Sequence, residues 1–475
     1  MGRDLRQWLK DVEGLGELRA VRGAHWDLEI GVITEIWGAN REALLFDEIP
    51  GYPPGYRVLA HSLSSPGRIA LTLGLSPSLD RLHLVSEIRK ILARAVAVPP
   101  VTVRSGAVQE VQQQGEDVNL LAFPTPKWHE LDGGRYIGTG CVVVQRDPET
   151  GWVNLGTYRL MIHDRRTTGI LIAPGKHGML IRDKYWAAGK PCPVAVSLGH
   201  DPLLFLLGGI EIPYGVGEYD WAGGILGHPI EVLEAPLTGL PVPADSEIVL
   251  EGEMPPGEER MEGPFAEWTG YYAAGARPEP VVHVRSLMHR RDPILLGAPP
   301  GMPPSDDCYY NSYVKSAGIW DELEKAGVPG VTGVWCHEAG GGRLFVTVAI
   351  RQLYPGHAKQ AGAVAAQCHQ GAYANRFVIV VDEDIDPSNL DEVVWALSTR
   401  VEPERDMDLI RRSWTSPVDP MHQPPPPESR KVFTARVVID ACRPWERRDD
   451  FPPTARPSPE MRRQILEKWS ALFGR

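Results

Sequence analysis

Two carboxylates stand out in the run RMEGPFAEWTGYY, where Glu262 and Glu267 bracket a Gly-Pro turn beside several aromatic residues. Acids in partly apolar surroundings acquire different proton affinities, so one can remain a proton donor near neutral pH while the other stays charged. On these residues alone, an exposed acidic turn is the plain alternative. A second run, WVNLGTYRLMIHD, carries Asn154, Gly156 and Arg159 on or beside a strand. Arginine is a fixed cation with a planar fork, suited to holding a carboxylate or to stabilising charge that moves through a flavin ring. A surface ion pair is the competing reading. Strict alternation puts Asn154 and Arg159 on opposite faces, so they serve one site only from two sides or across an irregularity, which Gly156 permits.

For a metal, the chain offers no HExxH and no clustered Cys and His, so zinc is not indicated. Asn154, His177 and Glu218 form an oxygen-rich set with one imidazole that suits manganese or magnesium bound to a phosphate. With 14 histidines and 61 acids in the chain, spacing alone leaves a solvated loop histidine open for His177. The segment HEAGGGRLF, from His337 to Phe345, lacks the strand-to-helix context of a phosphate loop.

Helical spacing of Leu5, Trp8, Leu9 and Val12 after Asp4 predicts a capped first helix that stops at Gly14. A second is expected near Leu82 to Ala97, with Leu84, Ile88, Ile91, Leu92 and Ala95 on one side, ended by Pro99-Pro100. From about Val101 to Met288 the texture changes to short β-type runs such as GCVVVQ, GWVNLGTYRLMI, PCPVAVSLG and PVVHVRSLMH, separated by Gly and Pro. That pattern predicts a barrel or sandwich and makes this stretch the candidate cofactor domain. Beyond Pro299 a helix from roughly His357 to Gln370, the strand RFVIVVDEDID and a helix starting near Asn389 predict an α/β region. Pro424 to Pro427 reads as a stiff polyproline segment. A last helix opens at Ser458-Pro459 and shows Met461, Ile465, Leu466, Trp469 and Leu472, a stripe that must dock within the chain or on a partner.

At 475 residues the chain has room for two or three cores, and 43% apolar with 23% charged residues marks a globular protein. A formal charge of -12 argues against nucleic acid or an anionic membrane as the main partner. Cys141, Cys192, Cys308, Cys336, Cys368 and Cys442 are scattered without a CxxC pair, as in a reduced protein. The start MGRDLRQWLK places charges where a signal peptide has its apolar core, and no run reaches membrane-span length, so a cytoplasmic location is expected.

Taken in order and spacing, these segments resemble the UbiD family, which includes 3-octaprenyl-4-hydroxybenzoate carboxy-lyases and ferulate and related aromatic-acid decarboxylases. The family's N-x-G-x-Y-R is similar to Asn154 through Arg159, and its E-G-P-[FY]-x-[ED]-x-x-G-Y-Y to Glu262 through Tyr272. GEYDWAGGILGHPIEV, SEIVLEGE, LYPGHAK, VVDEDIDP and STRVEPERD match as well, so the similarity spans nearly the whole chain.

The resemblance implies an N-terminal α/β region over residues 1–100 and a split β-barrel that binds prenylated FMN over 101–300. An α/β oligomerisation domain over 301–475, ending in a docking helix, would follow. It implies that Arg159, Glu262 and Glu267 form the catalytic set, with Glu267 delivering the proton that replaces CO2 and the other two supporting cofactor and substrate carboxylate. Asn154, His177 and Glu218 would bind Mn2+ (or Mg2+) at the flavin phosphate, with K+ at Trp152. Asn154, Leu155, Gly156, Thr157, Tyr158, Arg159, Lys176, His177, Glu218 and Arg376 would line the cofactor. Arg376 stands where many relatives have Lys, and the length of chain between Arg159 and His177 varies in the family. The implied reaction is reversible non-oxidative decarboxylation of an aromatic, heteroaromatic or α,β-unsaturated acid through a covalent adduct with the cofactor. A flavin prenyltransferase would supply that cofactor, and a homodimer or an assembly of dimers is expected. The rival readings are an FMN-dependent oxidoreductase on a split barrel and a flavin-binding subunit without chemistry.

Overall fold

The computed structural model describes residues 3–422 and 433–473, so the Pro424 to Pro427 run lies outside the described residues. Asp4 caps the helix Leu5–Gly14 by accepting from the Gln7 N–H, and Leu5, Trp8, Leu9 and Val12 are buried on one face. That face packs against a four-stranded sheet in the order Leu18–Arg22, Ala43–Asp47, Arg57–Ala60 and Ile294–Leu296. The fourth strand comes from far along the chain and pairs in parallel with Arg57–Ala60. The helix Arg81–Arg94 buries Leu84, Val85 and Ile88 and ends before the two prolines.

The middle of the chain forms a ten-stranded sheet. Its path runs Arg135–Gly138, Arg159–Ile162, Thr167–Leu171, Arg277–His289, Ile248–Met254, Cys192–Leu198, Cys141–Arg146 and Val153–Gly156. Glu259–Glu262 and Val111–Gln114 add to the long strand Arg277–His289, and neighbours along the path are antiparallel. The path's two ends do not pair with each other among the described residues, so the sheet curls without closing. Register shifts at Glu251/Gly252 and Tyr136/Gly138 supply local bends. The run GWVNLGTYRLMI is two strands, not one. Val153–Gly156 ends the path beside Cys141–Arg146, whereas Arg159–Ile162 lies between Arg135–Gly138 and Thr167–Leu171. Asn154 and Arg159 therefore work from separate strands.

The third region is a five-stranded sheet in the order Val331–Cys336, Phe345–Ile350, Phe377–Asp382, Phe433–Asp440 and Met407–Trp414. Val378 to Val381 are all buried because apolar clusters cover both faces of this partly parallel sheet. Asn389 caps the helix Leu390–Arg400. The helix expected through Gln370 stops at Gln367, where extended Cys368 separates it from the short helix His369–Ala372. His337 to Phe345 joins two antiparallel strands, which rules out a strand-to-helix phosphate loop there. Ser458 caps the helix Pro459–Lys468, but Met461, Ile465, Trp469 and Leu472 stay exposed, so the stripe is not covered by the described residues. The fold is thus α+β, with a curled half-barrel and a separate C-terminal α/β domain. The six cysteines are unpaired, and no described helix is long and apolar enough to cross a membrane.

Trp128 ties the N-terminal sheet to the barrel: it is fully buried, and its Nε1 donates to the Tyr136 carbonyl at 3.2 Å. Trp128→Ala should cost about 3–5 kcal/mol. The check is the denaturant midpoint, and an unchanged midpoint contradicts this packing.

Candidate active site

Arg159 opens the strand Arg159–Ile162, whereas Glu262 closes the strand Glu259–Glu262. The arginine meets that glutamate as a two-pronged fork, Nε donating to Oε1 at 2.9 Å and Nη2 to Oε2 at 2.8 Å. Its remaining prong, Nη1, donates to Glu267 Oε1 at 2.8 Å. Glu267 sits in a turn closed by the Gly270 N–H donating to its carbonyl at 2.8 Å. The two acids identified from sequence thus converge on one guanidinium.

Burial is uneven across this set. The Glu262 side chain is 0% exposed, that of Arg159 14% and that of Glu267 19%. Burial pushes the Glu267 carboxyl above the usual carboxylate range, and the charge of Glu262 adds to this against the opposing pull of Arg159. Burial works against the guanidinium's charge, but its bond to Glu262 and the charge of Glu267 outweigh that and hold Arg159 above its ordinary value. Arg159 also lies over the Phe265 ring at 5.4 Å. The arrangement is a two-pronged Arg–Glu fork beside a second acid whose proton affinity is raised.

Residues the sequence did not single out complete the set. Tyr136 is buried and donates from its hydroxyl to Glu262 Oε1 at 3.0 Å. Its ring stacks on Phe265 with centroids 3.8 Å apart. Burial and the charge of Glu262 raise the Tyr136 hydroxyl well above its ordinary value, so it stays a donor. The only trace in the sequence is an aromatic in the short run GGRYIG, which carries no chemical spacing. From the C-terminal side, Arg343 covers the Trp268 ring at 4.7 Å, and the Val418 carbonyl accepts from Thr269 at 3.4 Å. The C-terminal domain therefore packs on the loop that carries Glu267.

A second constellation surrounds the strand Val153–Gly156. Glu218 begins the helix Glu218–Leu226 and is buried, its Oε2 accepting from the Leu155 N–H at 2.8 Å. Burial pushes its carboxyl up to about 7. Asn154, next to Leu155 in the chain, is also buried, and its amide borders the Tyr158 hydroxyl. His177 begins the helix His177–Ala187, and its ring lies 5.2 Å from that of Trp152 and 5.4 Å from that of Tyr214. Burial and the neighbouring Lys176 charge lower its pKa, which keeps the imidazole neutral as a ligand must be. Trp152 Nε1 donates to the Val216 carbonyl at 3.0 Å, fixing the chain just before Glu218. No group of three His, Cys, Asp or Glu that could hold a metal occurs among the described residues. A buried carboxyl without a cation, an amide that can offer its carbonyl oxygen and one neutral imidazole are donor types that suit a hard divalent ion.

Between the two constellations the chain is pinned. The Thr157 N–H donates to the Gly208 carbonyl at 3.2 Å, and Tyr158 Oη accepts from the Gly178 N–H at 3.0 Å. At Gly156 a Cβ would lie 2.3 Å from the Tyr158 ring, so this glycine admits the ring rather than a bulge. Lys176 is exposed as the N-cap of the helix that begins at His177. Arg376 lies just before Phe377–Asp382, and its guanidinium is paired with Asp419 rather than bonded to the other site residues.

An open antiparallel barrel thus presents one arginine between two acids, and an α/β domain packs on the loop that carries one of them. Family models match over most of the chain: the 3-octaprenyl-4-hydroxybenzoate carboxy-lyase N-terminal domain at residues 9–92, the Rift-related domain at 100–303 and the C-terminal domain at 308–441. The chain is 35% identical over 419 residues to pyrrole-2-carboxylic acid decarboxylase of Pseudomonas aeruginosa, covering 85% of this chain and 84% of that protein. It is 31% identical to phenolic acid decarboxylase of Sedimentibacter hydroxybenzoicus, with 92% of each covered. Among solved structures, the UbiD-class enzyme HmfF from Pelotomaculum thermopropionicum in complex with FMN superposes with a TM-score of 0.85 at 28% identity, over 96% of this chain and 98% of that one. An evolved dimeric form of HmfF in complex with prFMN gives a TM-score of 0.82 at 27% identity, over 97% of this chain and 98% of that one. The chain belongs to the UbiD family, and it is a carboxy-lyase of that type.

Gly169 leaves the space that Glu262 occupies: a Cβ there would lie 2.8 Å from His163 Nε2 and 3.3 Å from Glu262 Cγ. Gly169→Ala should displace the carboxylate from its fork and lower kcat about a hundredfold. Steady-state turnover checks this, and wild-type kcat in the variant contradicts it.

Proposed function

We propose that this carboxy-lyase removes CO2 without oxidation from an aromatic, heteroaromatic or α,β-unsaturated carboxylic acid, using prenylated FMN, Mn2+ (or Mg2+) and K+. The observation that carries the reading is the guanidinium of Arg159 shared between Glu262 and Glu267. Relatives named for pyrrole-2-carboxylic and phenolic acids favour an electron-rich planar ring as substrate. Loss of CO2 from an sp2 carbon leaves an electron pair poorly conjugated with the ring, and prenylated FMN, when bound, supplies the electron sink.

The chain's own residues supply the rest. Arg159 holds its two acids in place and keeps positive charge beside the reacting carboxylate, while Glu262 fixes the plane of the guanidinium. Glu267, less buried and favouring its neutral form, gives its proton to the carbon that CO2 leaves. Asn154, His177 and Glu218 would hold the divalent ion against the cofactor phosphate, with K+ near Trp152. Leu155, Gly156, Thr157 and Tyr158 form the cofactor wall, with Lys176 and Arg376 as further cations for its phosphate. The barrel over 101–300 is the cofactor domain in this reading, flanked by regions 1–100 and 301–475. The enzyme works in the cytoplasm as a homodimer or an assembly of dimers and receives its cofactor from a flavin prenyltransferase.

The test is co-expression with a flavin prenyltransferase, then CO2 release from a panel of aromatic acids that includes pyrrole-2-carboxylate and phenolic acids. Glu267→Gln should retain the flavin spectrum yet lose turnover and solvent-deuterium incorporation by roughly a hundred- to ten-thousand-fold. Wild-type rates in that variant refute the proton-donor role. Because the Glu267 value is raised, its proton is present below that value and lost above it. The wild-type kcat should therefore fall with rising pH along a limb lying above the ordinary glutamate range, and Glu267→Gln should lack that limb.

A further inference from the structure

Glu262 and Glu267 share one arginine but not one environment. Glu262 receives three donors: Arg159 Nε and Tyr136 Oη on Oε1, and Arg159 Nη2 on Oε2. Among the described residues Glu267 receives a single side-chain donor, Arg159 Nη1. A carboxyl that carries a proton has to give it to an acceptor, and the groups bonded to Glu262 are already turned to it as donors. The Tyr136 hydroxyl has one other acceptor within reach, the Pro264 carbonyl at 3.5 Å, too long to compete with Glu262 at 3.0 Å. Its ring is held by the stack on Phe265, which lies between the two acids in the chain. The hydroxyl is therefore aimed by packing and not free to rotate away with its ring.

We propose that Tyr136 is a positioning residue for the catalytic proton, its hydroxyl holding Glu262 as the carboxylate so that the single proton of the pair resides on Glu267. This rests on the reading of Glu267 as proton donor and adds the group that decides which acid bears the proton. The other groups facing the pair are accounted for. His163 lies behind Glu262 and is kept neutral by burial. Arg277 favours a charged Glu267 but is itself paired with Glu279. Asp132 accepts from Tyr272, bears on Tyr136 through its charge and reinforces the un-ionised hydroxyl. Tyr373, from the C-terminal domain, is held un-ionised by burial. None of these donates to Glu262 in place of Tyr136.

The test compares Tyr136→Phe with the wild type, both reconstituted with prenylated flavin. The phenyl ring keeps the stack on Phe265, so flavin binding should persist. The limb on which kcat falls with rising pH should move up by about one pH unit, the worth of one hydrogen bond to a charged group. The plateau should fall about tenfold as the proton divides between the two acids. A uniform loss with an unmoved limb, or no change, overturns the proposal. Fluorotyrosine placed at position 136, a stronger donor in the same volume, should keep the wild-type limb and plateau because Glu262 is already the carboxylate, and a lowered plateau there overturns the proposal. Infrared difference spectra of cofactor-free protein read the proton without turnover. The protonated-carboxyl band removed by Glu267→Gln should be joined in Tyr136→Phe by one removed by Glu262→Gln, and its absence counts against Tyr136. If the wild type releases no CO2 but the infrared bands behave as stated, the decarboxylase reading fails while the role of Tyr136 stands.

Discussion

One guanidinium serving two largely buried carboxyls is the constraint on which the rest of the molecule depends. A cation and two anions brought together out of water would leave a net negative charge at a large desolvation cost. A cation, one anion and one neutral acid leave none. The proposed role of Glu267 as proton donor is consistent with that balance, since a proton on one acid relieves the desolvation cost beside a fixed positive charge. Arginine is needed because its planar fork engages Glu262 at two points while the third prong still reaches Glu267.

The fold exists in this form to hold that geometry. Arg159 and Glu262 stand on strands that sit on either side of Thr167–Leu171 and the long strand Arg277–His289. The curl of the sheet brings their side chains together, and Gly169, on the strand between them, leaves the room. The loop to Glu267 is pressed from the other side by Arg343 on Trp268 and by Val418 on Thr269. The second constellation hangs on the far end of the same sheet, where the Leu155 N–H fixes Glu218. The strands Val153–Gly156 and Arg159–Ile162 thus lie far apart along one strand path, although only Thr157 and Tyr158 separate them in sequence.

Much of this is legible in the residues. Capped helices such as Leu5–Gly14 and Leu390–Arg400 announce themselves because a side-chain acceptor and a helical apolar period coincide. The barrel strands show as short apolar runs between turn residues, and Glu262 and Glu267 stand out because two acids flank a Gly-Pro turn. Other features stayed hidden for physical reasons. The break after Gly156 is held by distant partners, the Gly208 carbonyl on the Thr157 N–H and the Gly178 N–H on Tyr158 Oη, that no local pattern encodes. Tyr136 acts through one hydroxyl bond to a residue 126 positions away. The ion pair of Arg376 with Asp419 follows from the packing of the C-terminal sheet, whereas sequence suggested only a cation near a phosphate. The exposed stripe from Met461 to Leu472 is visible both in sequence and in structure.

The most direct measurement of the central claim is neutron diffraction from deuterium-exchanged crystals of the wild-type protein near neutral pH, which sees the hydrogen isotopes at the two acids themselves. The account predicts a deuteron on a Glu267 oxygen, none on Glu262, and all three Arg159 bonds deuterated toward the carboxyls. A deuteron on Glu262, or both acids bare beside the guanidinium, would contradict it.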